Sequence, residues 1–384
     1  MKSSYYCLFF AFIFACKGTN EKTDQDLQDF EITSDTVIVD PGQEILFLNY
    51  GLALSALSKD KKYLYNFNNQ DFAIEQINLS TLKFEKKYPF EKEGPNGVGE
   101  FIMGFSLLND QQLFFKTHNG EGIYDWQGNK LDSYDLKKLG KEQGLLEDTD
   151  RPNRILSLSE EGNKFATLLT NFKSKTNSLA IIDANLKTFK KHAIPAVEKA
   201  SDFELFLNDD KTYVGMSSYR FLINEGDKII LGTNVSNEMY MYDQESDSLQ
   251  LLSYQGPLIP NQKSGTYPAE VSDKAEFLKY RKEILEDINF MAPVWDDKKQ
   301  VYYRLSFHMK YDESAEIPKE GFFPQAIGTE SFISILDKDF NLITEGNFPE
   351  LNPNPGLHFV KDGKLWIYEN IEDEMGFVRF DISW

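Results

Sequence analysis

The sequence predicts an all-β fold: a six-bladed β-propeller closed by the N-terminal strand, with one helical insertion between blades four and five. Three observations predict it. A tight turn rich in acidic residues, asparagine or glycine recurs six times, always just before a strand with aromatic or β-branched residues. A second hairpin follows each copy, and the last copy ends one strand short. Four strands in a unit of roughly 50 to 70 residues are typical of a propeller blade.

The first turn of each blade joins its first and second strands. Asp, Asn and Gly in these turns tolerate the backbone conformations that a short hairpin needs. The six copies lie at residues 58–65, 109–115, 160–165, 224–230, 296–303 and 361–368. The second hairpins lie at residues 77–84, 123–129, 181–186, 241–246 and 335–341.

The two ends of the chain predict how the ring closes. Residues 376–384 form the third strand of the last copy, and no fourth strand follows. Residues 36–39 and 44–48 are strand-like and precede the first blade without a partner. We expect this N-terminal segment to complete blade six, because pairing there would remove two exposed sheet edges. An open stack of sheets or a pair of β-sandwiches is the alternative.

The N-terminal residues have the pattern of an export signal. Residues 5–15 form an apolar run that is too short to span a bilayer, and Cys16 follows Ala15. This ending resembles the lipobox of bacterial lipoproteins, in which the cysteine is acylated. The sequence thus predicts a signal peptide over 1–15, a lipid-anchored tether over 16–35 and a propeller over 36–384. It predicts attachment to the outer membrane of the cell envelope through Cys16. A plain secretory signal that contains Cys16 by chance is the alternative.

Composition excludes some classes of protein. Lys and Arg number 41 and Asp and Glu 61, so the formal charge is −20. A nucleic-acid-binding protein needs a basic face, so a charge this negative argues against a nucleic acid as partner. The apolar share of 41% suffices for a globular core. Cys7 lies in the predicted signal peptide and Cys16 is predicted to be lipidated, so no disulfide is expected.

The chain resembles the TolB-like six-bladed propeller lipoproteins of Bacteroidota, many of which belong to families of unknown function. The resemblance rests on the lipobox at Cys16, the stretch Gly94-Pro95-Asn96-Gly97-Val98-Gly99-Glu100-Phe101, the Asp-rich turns and Val301-Tyr302-Tyr303-Arg304. It covers nearly all of the mature chain and implies a cell-envelope propeller without an assigned enzymatic activity. It implies nothing about a ligand.

Loop lengths predict a binding face. The turns between first and second strands are uniformly tight, whereas the blade links and one internal loop are long. Long ordered loops in a compact domain are usually functional, although structural drift of the repeat is the alternative. A helix is predicted after Ser272 as N-cap, with an apolar stripe through Phe277, Tyr280, Ile284 and Ile288. The long segments are 91–103, 137–153, 196–218, 253–293 and 307–330.

Basic side chains are predicted at the mouth of the central channel on this loop face. Arg154, Arg220 and His358 each begin the innermost strand of a blade, and Arg304 and His308 lie on the same face. A basic ring in a protein of charge −20 would suit a carboxylate, phosphate or sulfate group. The alternative is that each arginine pairs with a nearby loop carboxylate, for which Asp148, Asp150 and Asp202 are available.

Catalytic motifs are absent from the sequence. It contains no G-x-S-x-G, H-E-x-x-H, C-x-x-C or P-loop motif, and no two of its four histidines have metal-ligand spacing. We therefore expect no metal site, no cofactor and a non-catalytic propeller that binds a glycan, a peptide or an envelope protein. A hydrolase or lyase that uses carboxylates in the channel is the alternative. A purely structural subunit of an outer-membrane complex is a third interpretation.

Overall fold

The computed structural model describes residues 31–118, 120–171, 173–225, 228–312 and 326–384. The predicted signal peptide, Cys16 and most of the predicted tether lie outside the described residues. The fold is all-β, as predicted, and is built mainly of four-stranded antiparallel sheets. Residues 31–35, which the sequence analysis assigned to the tether, belong to the first strand, β1 (Glu31–Ile38).

Sheets 1 to 3 each contain four consecutive antiparallel strands. Sheet 1 contains β2 (Ser55–Leu57), β3 (Tyr63–Asn68), β4 (Ala73–Asn78) and β5 (Lys83–Pro89). Sheet 2 contains β6 (Ile102–Leu107), β7 (Gln112–Thr117), β8 (Gly120–Asp125) and β9 (Lys130–Tyr134). Sheet 3 contains β10 (Asp150–Ser157), β11 (Lys164–Asn171), β12 (Thr176–Asp183) and β13 (Thr188–Ala193).

A small side sheet precedes sheet 4 in the chain, with β14 (Leu205–Asn208) between β15 (Tyr213–Met216) and the later β20 (Glu270–Val271). Sheet 4 contains β16 (Arg220–Glu225), β17 (Lys228–Thr233), β18 (Met239–Asp243) and β19 (Ser248–Leu252). Sheet 5 contains β21 (Asn289–Phe290), β22 (Val294–Asp296), β23 (Val301–Tyr311), β24 (Ala326–Leu336) and β25 (Leu342–Phe348). Sheet 6 contains β26 (His358–Lys361), β27 (Lys364–Ile371), β28 (Glu374–Ser383) and β1.

Helices occupy the connections between sheets. The described helices are α1 (Leu136–Glu142), α2 (Pro195–Glu198), α3 (Lys274–Glu286) and two 3-10 turns, Asn49–Leu52 and Lys199–Phe203. α3 is the predicted helix, but its N-cap is Asp273, whose carboxylate accepts a hydrogen bond from the Glu276 N–H. The prediction of Ser272 as N-cap is therefore wrong by one residue. None of the described helices is long and apolar enough to cross a membrane.

Local turn chemistry explains why the hairpins form where the sequence predicted them. In turn after turn, a carboxylate accepts a hydrogen bond from the backbone N–H two residues further on, which closes an Asx turn. The distances are 3.0 Å from Lys62 N to Asp60, 3.0 Å from Gln127 N to Asp125 and 2.8 Å from Glu245 N to Asp243. Because this chemistry is local, the six first turns lie between the first and second strands of sheets 1 to 6.

Apolar clusters join the sheets in cyclic order within the described residues. Successive clusters connect sheet 1 with 2, 2 with 3, 3 with 4, 4 with 5 and 5 with 6. A further cluster connects sheet 6 with sheet 1, through Phe359, Trp366 and Phe377 on one side and Leu64 and Ile77 on the other. The first strands also contact one another: β2 contacts β6, β6 contacts β10, β10 contacts β16 and β22 contacts β26.

The N-terminal strand lies at the outer edge of sheet 6. β1 pairs antiparallel with β28 along its whole length, from Glu31 opposite Ser383 to Ile38 opposite Gly376. Residues 44–48, also predicted as strand, are not a strand. Instead the Phe47 N–H donates to the buried Glu75 carboxylate at 3.1 Å, which fixes this segment against sheet 1.

The predicted loop over residues 307–330 is also different in the structure. β23 and β24 extend into it from both sides and still pair at Tyr311 and Ala326. Residues 313–325 between them lie outside the described residues. Residues 307–311 alternate between apolar and polar side chains, which is a strand pattern that the loop prediction overlooked.

Candidate functional site

A pocket of about 270 Å³ lies where the first strands of four sheets converge. Its lining comes from residues 53–55 at the start of sheet 1, from β6, from β10, and from Tyr219, Leu222 and Ile223 at sheet 4. β7 adds Phe114 and Lys116. These residues belong to the first strands of four neighbouring sheets or lie just before them, which is where the predicted propeller would have its central channel. We call it the channel pocket.

Two neighbouring first strands carry a β-bulge at this pocket. In β6, Ile102 pairs with Thr117 and Gly104 with Lys116, so Met103 is the extra residue. In β10, Asn153 pairs with Leu168 and Ile155 with Thr167, so Arg154 is the extra residue. Met103 and Arg154 both line the pocket and are exposed. Bulges re-aim side chains and are over-represented beside functional sites.

Arg154 also departs from ordinary strand geometry. Its φ is 28°, in a region that residues with side chains rarely adopt. The Thr167 hydroxyl donates to the Asn153 carbonyl at 2.8 Å, which satisfies an acceptor that the bulge displaces from the ladder. The guanidinium lies 5.0 Å from the ring centroid of Tyr219, a cation–π contact that orients it over the pocket.

Lys116 is a second cation in the pocket and is buried. The residue is 9% exposed, and its ammonium donates to the Pro152 carbonyl at 3.2 Å. Burial lowers its pKa to about 8; Glu121, opposite it on β8, opposes the shift and Arg154 adds to it. Lys116 therefore carries most of its charge at pH 7 and loses it in mildly alkaline solution.

The remaining lining is neutral. The Ser106 hydroxyl is buried and has no hydrogen-bond partner within the described part of the chain. Such a group costs free energy unless something binds it. The rest of the wall is mixed, with apolar Phe105, Ile155 and Leu222 beside polar Ser55, Asn153 and Tyr219. No Asp, Glu, His or Cys occurs among the described residues that line the pocket.

Of the five predicted site residues, only Arg154 lines the channel pocket. Arg220 is buried and pairs with Glu204 at 2.7 Å, with further bonds to the Ser218 carbonyl and the Ser201 hydroxyl. This matches the alternative of a loop carboxylate as partner, although Glu204 was not among the carboxylates considered. Asp148 and Asp150 pair instead with Lys141 and Lys191.

Arg304 lies in the interior and is 0% exposed. Its guanidinium donates to the main-chain carbonyls of Met291 at 3.0 Å, Asn237 at 2.6 Å and Ser236 at 3.1 Å. These bonds join sheet 5 to the loop that follows β17. The structure therefore places Arg304 in a bracing position in the interior, outside the lining of the channel pocket.

The two predicted histidines are also committed to the main chain. His308 Nδ1 lies 2.9 Å from the Glu286 carbonyl oxygen at the end of α3. His358 Nε2 lies 3.0 Å from the Ala292 carbonyl oxygen, and desolvation lowers its pKa, which favours a neutral ring at pH 7. Neither is among the residues lining the channel pocket.

A larger cleft of about 480 Å³ lies beside the side sheet and α3. Two of its lysines are committed to protein groups. Lys199 pairs with Glu238 at 2.6 Å, and Lys263 donates to the Ile284 carbonyl at 2.6 Å. Asp202 and Glu204 also line the cleft. The cleft thus offers mixed charge, and its buried cation already has an acceptor.

Sequence reasoning missed Lys116, Ser106 and Met103. Lys116 gave one signal, since it ends the run Leu113-Phe114-Phe115, where a lysine interrupts buried strand residues. Met103 precedes Gly104, and a glycine inside a strand pattern can mark a bulge. Ser106 gave no signal, because its lack of a partner depends on the packing of neighbouring sheets.

The chain matches a known family of domains. A family profile described as "Domain of unknown function (DUF4221)" matches residues 28–347, so the chain belongs to the DUF4221 family. This agrees with the predicted membership in a family of unknown function, while the TolB-like relationship stays a prediction. No curated protein matches the chain.

Solved structures of two Bacteroides proteins are similar in fold. A DUF4221 family member from Bacteroides vulgatus is similar with a TM-score of 0.63 at 16% identity, covering 93% of this chain and 99% of that one. A putative exported protein from Bacteroides fragilis is similar with a TM-score of 0.50 at 11% identity, covering 92% and 96%. A Myceliophteria thermophila Cps50 (Swd1) β-propeller domain matches with a TM-score of 0.42 at 10% identity, covering 86% and 83%.

Proposed function

We propose that this chain is a lipid-anchored binding protein of the cell envelope, a closed six-bladed propeller whose channel pocket holds a small ligand. The observation that carries the proposal is the convergence of four first strands on one pocket that contains uncommitted polar groups. Ligand sites are typically concave, mostly apolar and furnished with a few well-placed polar groups.

The cyclic order of apolar contacts supports closure of the ring. Each sheet shares a cluster with the next, and sheet 6 shares one with sheet 1. The pairing of β1 with β28 supplies the fourth strand of the last sheet. In a closed ring of six blades, the first strands surround a central channel, which is where the pocket lies.

Localisation rests on two arguments. The Bacteroides fragilis protein of the same fold carries the description of an exported protein. The N-terminal pattern adds a lipid anchor at Cys16. We propose that Cys16 is acylated and that the protein is attached to the outer membrane. Metabolic labelling with an alkynyl fatty acid tests the acylation. We expect label in the membrane fraction for the natural chain and none for Cys16→Ser, and equal labelling of the two would exclude the anchor.

A binding role is favoured over the alternative of an enzyme, a hydrolase or a lyase, that would use carboxylates in the channel. Glycoside hydrolysis uses two carboxyl groups that flank the scissile bond, and the described lining of the channel pocket offers no carboxylate. The remaining partners proposed from sequence, a glycan, a peptide or an envelope protein, would meet the loops around the pocket.

The experiment that tests the proposed binding role is a thermal-shift screen of the full chain in detergent with small acids, amines, sugars and peptides. We expect at least one class to raise the midpoint, and Met103→Trp, which fills the pocket, to abolish that shift. If no class shifts the midpoint, or Met103→Trp leaves every shift unchanged, the channel pocket is not the binding site.

A further inference from the structure

We infer that the channel pocket recognises a small carboxylate that carries a short apolar or aromatic body, an inference that rests on the proposed function of this pocket. It names the ligand class, which neither the family nor the fold assigns. Three features of the pocket indicate this class: its charge, its hydrogen-bond donors, and its shape and size.

Charge is the first step. The pocket holds the cations Arg154 and Lys116, and its described lining contains no acidic residue, although the whole chain carries −20. The acidic residue that faces this pair is Glu121, which lies opposite Lys116 on β8 and is not part of the pocket lining. Two like charges in one partly desolvated pocket repel each other, and a bound anion would relieve that repulsion. The pocket is therefore complementary to negative charge.

Donor geometry is the second step. The planar guanidinium of Arg154 suits a carboxylate, which it binds through two parallel hydrogen bonds. The cation–π contact with Tyr219 restrains the guanidinium before binding, which lowers the entropic cost of ordering it on the ligand. The Lys116 ammonium and the unpartnered Ser106 hydroxyl provide further donors in the same pocket.

Shape and size are the third step. Beside the cations, Met103, Phe105 and Leu222 offer apolar surface to a hydrocarbon body, next to the polar Ser55, Asn153 and Tyr219. A volume of about 270 Å³ is just below the range of pockets that hold drug-sized ligands, which favours a small ligand. A monocarboxylate of the size of benzoate meets all three conditions.

Binding should also depend on pH through Lys116. The charged groups that face it are Glu121 from β8 and Arg154 from β10, and Pro152 of β10 faces it with a neutral carbonyl. The pKa of Lys116 is about 8 in the protein alone. Above that pH the side chain is mostly neutral, so an anion that binds the charged ammonium must bind together with a proton that Lys116 takes up. Affinity should therefore fall as pH rises from 7 to 9.5.

The test is calorimetric titration of the full chain in detergent with benzoate and with benzamide, its neutral isostere. We expect benzoate to bind at least about tenfold more tightly than benzamide, the ratio that one charge-assisted hydrogen bond provides. Arg154→Gln should weaken benzoate binding by about tenfold or more. Arg151→Gln is the matched control, because Arg151 lies on the same strand, is exposed and does not line the pocket.

Lys116→Met provides the second readout. It should weaken benzoate binding at pH 7 and remove the loss of affinity between pH 7 and 9.5. Equal affinities for benzoate and benzamide would overturn the carboxylate class while leaving the pocket as a binding site. Binding of benzoate that ignores both Arg154→Gln and Lys116→Met would overturn the assignment to this pocket. Absence of benzoate binding would overturn the inference, and the screen described above decides separately whether the pocket binds anything.

Discussion

Asp35 on β1 forms an ion pair with Arg379 on β28, where the two residues are directly opposite in the register. The Arg379 Nε donates to the Asp35 carboxylate at 3.0 Å, and Lys364 on β27 approaches the same carboxylate at 3.2 Å. One side chain therefore ties three strands of sheet 6 together. The contact joins residues 344 positions apart in the chain, so it is a local marker of the pairing of the two ends.

Asp35→Asn should weaken this connection modestly. The pair is partly exposed, and such pairs contribute about 0.2–1 kcal/mol, so we expect a loss of that order in denaturant unfolding at pH 7. Asp373→Asn is the control, because Asp373 is exposed in the turn before β28, outside these contacts. A loss above about 3 kcal/mol would mean that Asp35 does more than the ion pair explains.

The contribution of Asp35 should also depend on pH. Hydrogen bonding to Arg379 lowers the pKa of Asp35 below its usual 3.8. The native state thus holds the proton less tightly than the unfolded state, so the contribution is complete above about pH 5 and is lost as pH falls through the lowered pKa. The difference between the natural chain and Asp35→Asn should shrink towards zero at pH 2. A difference that stays constant from pH 7 to pH 2 would contradict this assignment.

Backbone protection tests the pairing itself. Inter-strand hydrogen bonds of β28 run to β27 on one side and to β1 on the other. We expect amides on both sides of β28 to be protected in native-state hydrogen exchange measured by mass spectrometry with fragmentation. Protection on the β27 side alone would mean that β1 is not docked in solution, and the closed ring would be wrong.

Arg304 and Arg154 should behave in opposite ways. Arg304→Met would leave three buried carbonyls without their donor, so we expect a loss of roughly 3–5 kcal/mol in the free energy of unfolding. Arg154→Gln removes an exposed side chain, and we expect a change within about 0.5 kcal/mol. Denaturant unfolding of both variants separates a bracing arginine from a binding one. Equal losses would place Arg154 among the structural residues.

Lys263 should make stability rise with pH. It is buried at the end of α3, where it donates to the Ile284 carbonyl, and burial lowers its pKa to about 7. Between pH 7 and 10.5 the unfolded chain binds the proton and the native chain does not, so the contribution of this site to stability increases over that range. Lys263→Met should flatten the rise, whereas the exposed Lys279→Met should not. A profile that Lys263→Met leaves unchanged would contradict the lowered pKa.

The hairpins were predictable because their chemistry is local. An Asx turn such as that at Asp60 needs only the neighbouring N–H groups, so the sequence contains its whole signal. The pairing of β1 with β28 was predictable from the need to cover two sheet edges. Both inferences depend on rules that hold for any antiparallel sheet.

The environment of each arginine was not predictable in the same way. The sequence does not distinguish the three arginines. In the structure Arg154 is exposed, Arg220 pairs with Glu204, and Arg304 donates to three main-chain carbonyls. Those partners come from segments that are distant in sequence or lie in irregular loops. The bulges at Met103 and Arg154, which decide what enters the pocket, likewise depend on register across neighbouring strands.

The most direct test of the account is a crystal structure of the chain with 4-bromobenzoate, collected at the bromine absorption edge. We predict one anomalous peak beside Met103 and Leu222, with the carboxylate on Arg154 and Lys116. A peak in the larger cleft beside Lys263 and Tyr267, or no peak in the channel pocket at a saturating concentration, would contradict it.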